Sequence, residues 1–209
     1  MKTIIFGATG SVGRLAVTKM LEDGHQVTAF ARNPGRLARN HQNLSLYAGD
    51  ATNKDAVASA IAGHDAVIIT LGAGSSRKST IRSEGTMNII QAMQDHGVQR
   101  LICQSTLGAH ESWSNLNFFW KRIMFGLLLR PVFHDHELQE NLVRASGLNW
   151  TIVRPGAFID GPVTNAFKED FPSTDRSLNL KISRADIAVF LSRQLSDLRY
   201  ARQAVGISN

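Results

Sequence analysis

Three glycines follow the first apolar run of the chain, at a spacing that suits the binding of a phosphate. The N-terminal sequence MKTIIFGATGSVG predicts a buried strand over Thr3 to Phe6, which leads through a glycine loop into a helix. Gly7 permits a tight turn, Gly10 lets the backbone approach a ligand, and Gly13 lets the helix pack on the sheet. The free amides of the helix's first turn face this loop, so the pattern predicts a pyrophosphate site.

The spacing is GxxGxxG rather than the GxGxxG of common dehydrogenases, and by itself it is also compatible with a simple strand-to-helix turn. A strand before the loop and a helix after it favour the nucleotide site. The loop residues that we expect to contact the cofactor are Gly7, Thr9, Gly10, Ser11, Val12 and Gly13.

The end of the second predicted strand indicates which dinucleotide is bound. This strand covers Gln26 to Ala31, and no acidic residue stands at its end to accept hydrogen bonds from a ribose diol. Arg32 follows instead, with Arg36 four residues later. Guanidinium groups suit a 2′-phosphate, so we expect NADP to be preferred over NAD, although both arginines are also compatible with a solvated surface role.

Two further strand ends should reach the same edge of the sheet. The strand Leu44 to Ala48 is followed by Asp50, which suits either a place beside the adenine or a turn or cap before the next helix. The strand Ala66 to Thr70 runs into a polar loop over Leu71 to Ser76. The cofactor contacts that we expect from these two loops are Asp50, Ala51, Leu71 and Gly72.

The regular alternation of strands and helices predicts the fold class. Helical patterns cover Lys54 to Ile61 and Ile81 to Asp95, and a fifth strand covers Arg100 to Gln104. Such an order predicts an α/β fold, a Rossmann-type doubly wound parallel sheet with helices on both faces and a small C-terminal substrate-side region. The length suits a single NAD(P)-binding domain over residues 1–209.

Composition limits the classes of partner. The 209 residues include 23 Lys and Arg against 17 Asp and Glu, a formal net charge of +6, but the basic residues are scattered, so no nucleic-acid partner is expected. The single cysteine, Cys103, excludes an internal disulfide and favours a reducing compartment. The short N-terminal apolar run does not resemble a signal peptide, so we expect a cytoplasmic protein.

Four motifs carry a family resemblance over nearly the whole chain: GATGSVG, ARNPGRL, GDAT and ASGLNWTIVRPGAF. With them the chain resembles the atypical short-chain dehydrogenases/reductases, in particular the NAD(P)H-binding proteins related to biliverdin reductase B, the flavin reductase, and the NmrA-like regulators. The resemblance implies that Ser105 and Thr106, after the fifth strand, lie near the nicotinamide. It also implies nicotinamide contacts from Pro155, Ala157 and Phe158.

The usual acid pair of that superfamily, a tyrosine with a lysine four residues later, is absent. The corresponding positions hold Val132 and His136. The sequence predicts a helix over Asp135 to Ser146 with His136 at its start, where the imidazole suits either a proton donor near neutral pH or a capping residue. Ser105 can donate a hydrogen bond to the acceptor oxygen, although a simple strand-ending turn also fits.

Segments 116–130 and 156–180 are interpreted as substrate-side insertions, and Ile159 to Asn179 is expected to be a loop without regular structure. Within the first, 116–129 is strongly apolar, and three interpretations remain open: a helix over the substrate pocket, which we favour, a dimer contact, or an interfacial membrane helix. Near the C-terminus, the motif at 182–188 predicts a helix capped by Ser183, with a link between Arg184 and Asp186.

The sequence therefore predicts an NADPH-dependent oxidoreductase that transfers hydride to a flavin, a quinone or a similar planar acceptor. The alternative is a non-catalytic NADP-sensing regulator of the NmrA-like kind. A sugar-nucleotide epimerase is disfavoured because the tyrosine and a second substrate lobe are missing. The chain is expected to be a monomer or a homodimer, without a membrane span.

Overall fold

The strands of the computed structural model, which describes residues 1–74, 76 and 79–209, follow the predicted order along the chain. Ser75, within the predicted loop after the fourth strand, lies outside the described residues. The strands are β1 Lys2–Phe6, β2 Gln26–Ala31, β3 Leu44–Ala48, β4 Ala66–Ile69, β5 Arg100–Gln104, β6 Asn149–Pro155, β7 Ala157–Ile159, β8 Lys168–Glu169, β9 Lys181–Ser183 and β10 Gln203–Ser208.

Within the described residues, five α-helices connect these strands, and three further helical segments lie between them. The α-helices are α1 Gly13–Glu22, α2 Lys54–Ile61, α3 Ile81–Asp95, α4 Arg130–Ala145 and α5 Arg184–Arg193. The further segments are two 3-10 helices, Pro34–Leu37 and His110–Asn115, and a π-helix, Phe119–Leu128.

The main sheet has eight strands in the order β3-β2-β1-β4-β5-β6-β10-β8, and all neighbours except β10 and β8 are parallel. The strand order reverses between β1 and β4, because the chain builds outward from β1 on one side and from β4 on the other. In such sheets the ligand crevice opens at the carboxyl ends of the strands at this reversal. The predicted Rossmann-type fold is confirmed.

Alternation of side chains along the central strands builds a core on each face of the sheet. Ile5 points into one core with helices α1 and α5, whereas Ile4 and Phe6 point into the other with α2, α3 and α4. Both faces of β1 are fully buried, which explains why it reads as an unbroken apolar run. The sheet therefore holds the carboxyl ends of β1, β4 and β5 in fixed positions.

Two sequence predictions about the second half of the chain are wrong. Helix α4 begins at Arg130 rather than Asp135, because Pro131 fits the first turn of a helix, where its missing N–H is not needed. The region 159–179 was expected to lack regular structure, but it includes β8, which pairs with β10. Across the described residues, no helix is both long and apolar enough to cross a membrane.

Candidate functional site: a dinucleotide crevice at the sheet's switch point

The glycine loop turns sharply off β1 and folds back on itself. Gly7 has a φ of +87°, and a side chain there would lie 2.6 Å from the carbonyl oxygen of Thr70. The amide of Gly10 donates to the Gly7 carbonyl at 2.9 Å. Among the described residues, the amides of Ser11 and Val12 donate to no other group of the chain, so they are available to an anion at the start of α1.

A crevice of about 670 Å³ runs from this loop across the carboxyl ends of the strands. Its size lies within the usual range for small-molecule and cofactor sites. Of the residues that the sequence singled out, the lining includes Gly7, Thr9, Gly10, Ser11, Val12, Arg32, Arg36, Asp50, Ala51, Leu71, Gly72, Ser105, Thr106, His136 and Phe158.

Three predicted cofactor residues lie away from this lining in the described structure. Gly13 packs under the loop, where an added side chain would lie 2.2 Å from the carbonyl oxygen of Gly7. Its role is to hold α1 against the turn. Pro155 and Ala157 line a separate small pocket of about 40 Å³ beside the crevice. Direct cofactor contact by these three residues therefore stays a prediction, which the lining of the crevice does not support.

The rim beyond β2 is positively charged. Arg32 and Arg36 are both exposed at the crevice, and neither forms an ion pair with another described residue. Asp50 lies nearby, and its pKa is lowered by hydrogen bonds from the backbone and hydroxyl of Thr52 and by the charge of Arg32. Asp50 thus orders its own turn, while Asn53, rather than Asp50, caps α2 by accepting from the Ala56 amide at 3.0 Å.

Buried polar atoms without partners cluster at the end of β5. Ser105 is 1% exposed, and its hydroxyl has no hydrogen-bond partner in the described structure. The side-chain oxygen of Gln104, the preceding residue, is likewise unpartnered. Because a buried polar group without a partner costs free energy, these atoms indicate a position where a ligand completes the hydrogen bonding.

His136 lies in the wall of the crevice, one and a half turns into α4, and not at a helix start as the sequence predicted. Burial lowers the pKa of its imidazole well below the ordinary value, and the positive charge of Arg82 lowers it further. The nearby Gln139 side chain acts on this pKa in the opposite direction. His136 is therefore neutral at physiological pH, which argues against an imidazolium proton donor.

Phe158 lines the crevice, and contacts from the start of α5 hold the loop that follows Phe158. The guanidinium of Arg184 lies 5.7 Å from the Phe158 ring and donates to Asp160 at 2.9 Å. The predicted link between Arg184 and Asp186 is wrong. The Asp186 carboxylate accepts from the Thr164 and Asn165 amides, each at 2.9 Å, and Ser183 caps α5 as predicted.

A buried ion-pair network ties α4 to β6 behind the crevice. Arg154 donates to Glu140 through two nitrogens, at 2.9 and 2.6 Å, and both side chains are almost fully buried. Glu111 bonds to Arg154 and Arg144 at the outer end of the network. Burial raises the pKa of Glu111, but the hydrogen bond and positive charge of Arg154 and the charge of Arg144 bring it down to about 2.

The 116–130 segment contributes no residue to the lining of the crevice and lies beside it, and the interpretation of a helix over the substrate pocket stays a prediction. Leu116, Trp120 and Phe125 face the small pocket that holds Pro155 and Ala157, and this pocket shares only Thr106 with the main crevice. Phe125 packs against Phe133 with ring centroids 4.6 Å apart and the rings tilted. Trp120 and Phe125 therefore belong to a small core of their own.

Five polar residues of the crevice lining were not among the predicted site residues: Thr70, Ser76, Ser79, Arg82 and Gln104. The sequence could have predicted Thr70 and Gln104, because they stand at the carboxyl ends of β4 and β5, where the ligand-binding edge of the sheet was expected. Arg82 had no local signal. It lines the crevice because Asp135 of α4 accepts from its backbone amide at 3.2 Å and from the Ser83 amide at 3.0 Å.

Two curated relatives are similar to this chain to different extents. A 3-beta-hydroxysteroid dehydrogenase of Mycolicibacterium neoaurum is 38% identical over 113 residues, which cover 48% of this chain and 31% of that protein. The uncharacterized sugar epimerase YhfK of Bacillus subtilis is 28% identical over 179 residues, 78% of this chain and 75% of that protein. The chain thus matches about a third of the first protein's length.

Solved structures share the fold over the whole chain. The oxidoreductase ylbE of Lactococcus lactis has a TM-score of 0.84 at 21% identity, covering 100% of this chain and 91% of that one. A short-chain dehydrogenase/reductase of Veillonella parvula, solved in complex with NADP, has a TM-score of 0.81 at 19% identity, covering 100% and 94%. The NAD(P)H-binding family model matches residues 7–198, from the glycine loop to beyond α5, and the chain belongs to that family.

Proposed function

We propose that this protein is an NADPH-dependent reductase that transfers hydride to a planar acceptor such as a flavin or a quinone. The observation that carries the proposal is the arrangement of one crevice: phosphate-binding amides at the glycine loop, Arg32 and Arg36 at one end, and the buried Ser105 hydroxyl at the other. A dinucleotide bound by its phosphates along this crevice extends its reducing end towards β5.

Three features support NADP as the form that fits. A side chain at Gly10 would meet only the Gly7 and Thr70 carbonyl oxygens, at 3.1 and 3.9 Å, and would otherwise occupy the space that a pyrophosphate needs. The exposed guanidinium groups of Arg32 and Arg36 are suited to a 2′-phosphate. Asp50 is oriented by Thr52, so its carboxylate is engaged within its own turn.

The end of the crevice at Ser105 suits a hydride acceptor that needs no proton from an acidic side chain of the protein. The positions of the usual tyrosine and lysine hold Val132 and the neutral, buried His136. Bound NADPH supplies a hydride, and a flavin or quinone accepts it and takes its proton from water. In this scheme the Ser105 hydroxyl donates a hydrogen bond to the acceptor atom that gains charge, and neutral His136 orients the bound ligand.

Steady-state oxidation of NADPH with FMN and with a soluble quinone tests this proposal. Ser105→Ala should lower kcat by roughly 10²-fold, the usual effect of losing one donor to developing charge, while NADP affinity stays unchanged. Ser45→Ala removes an exposed hydroxyl from the edge strand β3, four strands away from β5 in the sheet, and serves as the matched control. Equal rates for the two variants would contradict the role given to Ser105.

The missing acid pair also favours a second candidate, a regulator that senses NADP without turnover. This candidate predicts tight NADP binding and no NADPH oxidation with any acceptor in a panel of flavins, quinones and carbonyl compounds. Turnover with any of them, lost in Ser105→Ala, would exclude it.

A further inference from the structure

The surface of the 116–130 segment is unusually apolar for a part of the chain that faces solvent. Phe118 and Leu127 are 74% and 73% exposed. Three more large apolar side chains of the segment are at least two-fifths exposed: Phe119, Ile123 and Leu128. Contiguous exposed apolar surface on a folded protein marks an interaction site.

The π-helix explains why these side chains share one face. In a π-helix, residues four or five apart lie on the same side, because the amide bonds to the carbonyl five residues earlier, as Leu129 does to Met124 at 2.7 Å. Trp120 and Phe125 point inward onto the core, at this spacing. Among the exposed residues, Ile123 lies five residues after Phe118 and four before Leu127, so they follow the same spacing.

The charge around this face has a single sign. Between Glu111 and Asp135 the chain contains no acidic residue, and its charged side chains there are Lys121, Arg122 and Arg130. None of these three forms an ion pair with a residue that the structure describes. Arg122 and Arg130 are exposed, and both lie within the segment that carries the exposed apolar side chains.

We propose that the 116–130 segment attaches the protein to the surface of a bilayer that contains anionic phospholipid. Large apolar side chains that enter the acyl boundary, flanked by cations at headgroup level, are the two features by which an interfacial helix binds such a membrane. A second copy of this chain is a poorer occupant, because a symmetric contact would bring the same unpaired cations together.

The place of the segment gives this attachment a consequence for the crevice. The segment covers the small apolar pocket that adjoins the crevice at Thr106, directly after Ser105. Docking would hold the acceptor end of the crevice close to the bilayer, where an apolar acceptor such as a lipid-soluble quinone resides. This consequence rests on the proposed function, whereas the attachment itself does not.

Vesicle flotation with the purified chain tests the proposal. The protein should float with vesicles of phosphatidylglycerol and phosphatidylcholine in equal parts, and not with phosphatidylcholine alone. Phe118→Ser and Leu127→Ser should each weaken binding by roughly tenfold, since each removes a large apolar group from the membrane. Arg122→Gln should weaken it by about fivefold, and added salt should act in the same direction.

Matched controls separate the segment from general surface effects. Leu46→Ser and Leu198→Ser change leucines that are 48% and 54% exposed elsewhere, and Lys54→Gln removes a cation from α2. These variants should float like the wild type. Equal flotation of the Phe118 and Leu46 variants would overturn the proposal.

Light scattering after gel filtration tests whether a second copy of this chain, rather than a membrane, covers the 116–130 segment. A wild-type dimer that becomes monomeric in Phe118→Ser, without any vesicle binding, would overturn the proposal in favour of self-association. Titration with NADP in the absence of lipid remains a separate measurement, so a failure of membrane attachment is distinguishable from a failure of the proposed function.

Discussion

Replacing Gly13 by alanine tests the packing of the glycine loop. The added methyl group would lie 2.2 Å from the Gly7 carbonyl oxygen and 2.9 Å from the Thr70 hydroxyl. The first neighbour is backbone, so helix α1 must move, and overpacking of this kind costs about 1–3 kcal/mol of unfolding free energy. In a chain of this size each kcal/mol lowers Tm by roughly 2–4 °C, so Tm should fall by about 2–12 °C.

Gly10→Ala is the matched variant, because its methyl group meets the Gly7 carbonyl at 3.1 Å and otherwise projects towards the crevice. It should cost less than about 1 kcal/mol of stability and yet weaken NADP binding more than about tenfold. Thermal unfolding followed by circular dichroism, with calorimetric titration of NADP, measures both quantities. The reasoning is refuted if Gly13→Ala melts like the wild type, or if Gly10→Ala binds NADP with unchanged affinity.

Three further predictions concern charge. Arg154→Met removes both hydrogen bonds to the buried Glu140, which keeps only Arg144 at 3.8 Å and His110 at 3.9 Å, and it should lower the unfolding free energy in urea by about 3–5 kcal/mol. Much of this loss should be recovered in the double variant with Glu140→Leu. Equal losses in the single and double variants would argue against the ion pair. Arg32→Ala should weaken the binding of NADP by about 1–3 kcal/mol and leave the binding of NAD nearly unchanged, as measured by calorimetric titration. An equal loss of binding free energy for both nucleotides would refute the 2′-phosphate assignment. The pKa of His136 is lower in the folded state than in the unfolded state, so the unfolded state takes up a proton first as the pH falls. The unfolding free energy should therefore decrease as the pH falls below the ordinary pKa of histidine. His136→Asn should flatten this part of the curve of unfolding free energy against pH.

The strands that build the ligand edge were predictable because their signal is local. β2 and β3 have the predicted bounds, since each is a short β-branched or apolar run ended by polar residues. The glycine loop was equally predictable from its local sequence. The resemblance to atypical short-chain dehydrogenases/reductases added the positions of Ser105 and His136, which the structure brings into one crevice.

The features that sequence reasoning missed depend on contacts between distant segments. Arg82 reaches the crevice because α4 supplies the Asp135 carboxylate, 53 positions away. Arg184 binds Asp160 on the preceding loop and not the nearby Asp186, and no local pattern distinguishes these partners. The 116–130 segment packs on Leu107 and Leu180 beside the crevice. Its hydropathy indicates that it is apolar but does not indicate which residues it packs against.

The single prediction on which the site, the proposed reaction and the cofactor preference all depend is that the crevice holds a phosphorylated nicotinamide dinucleotide. Calorimetric titration of the purified chain with NADPH and with NADH measures it directly. The account predicts one site per chain, with NADPH bound more tightly than NADH. No detectable binding of either nucleotide at millimolar concentration would contradict it.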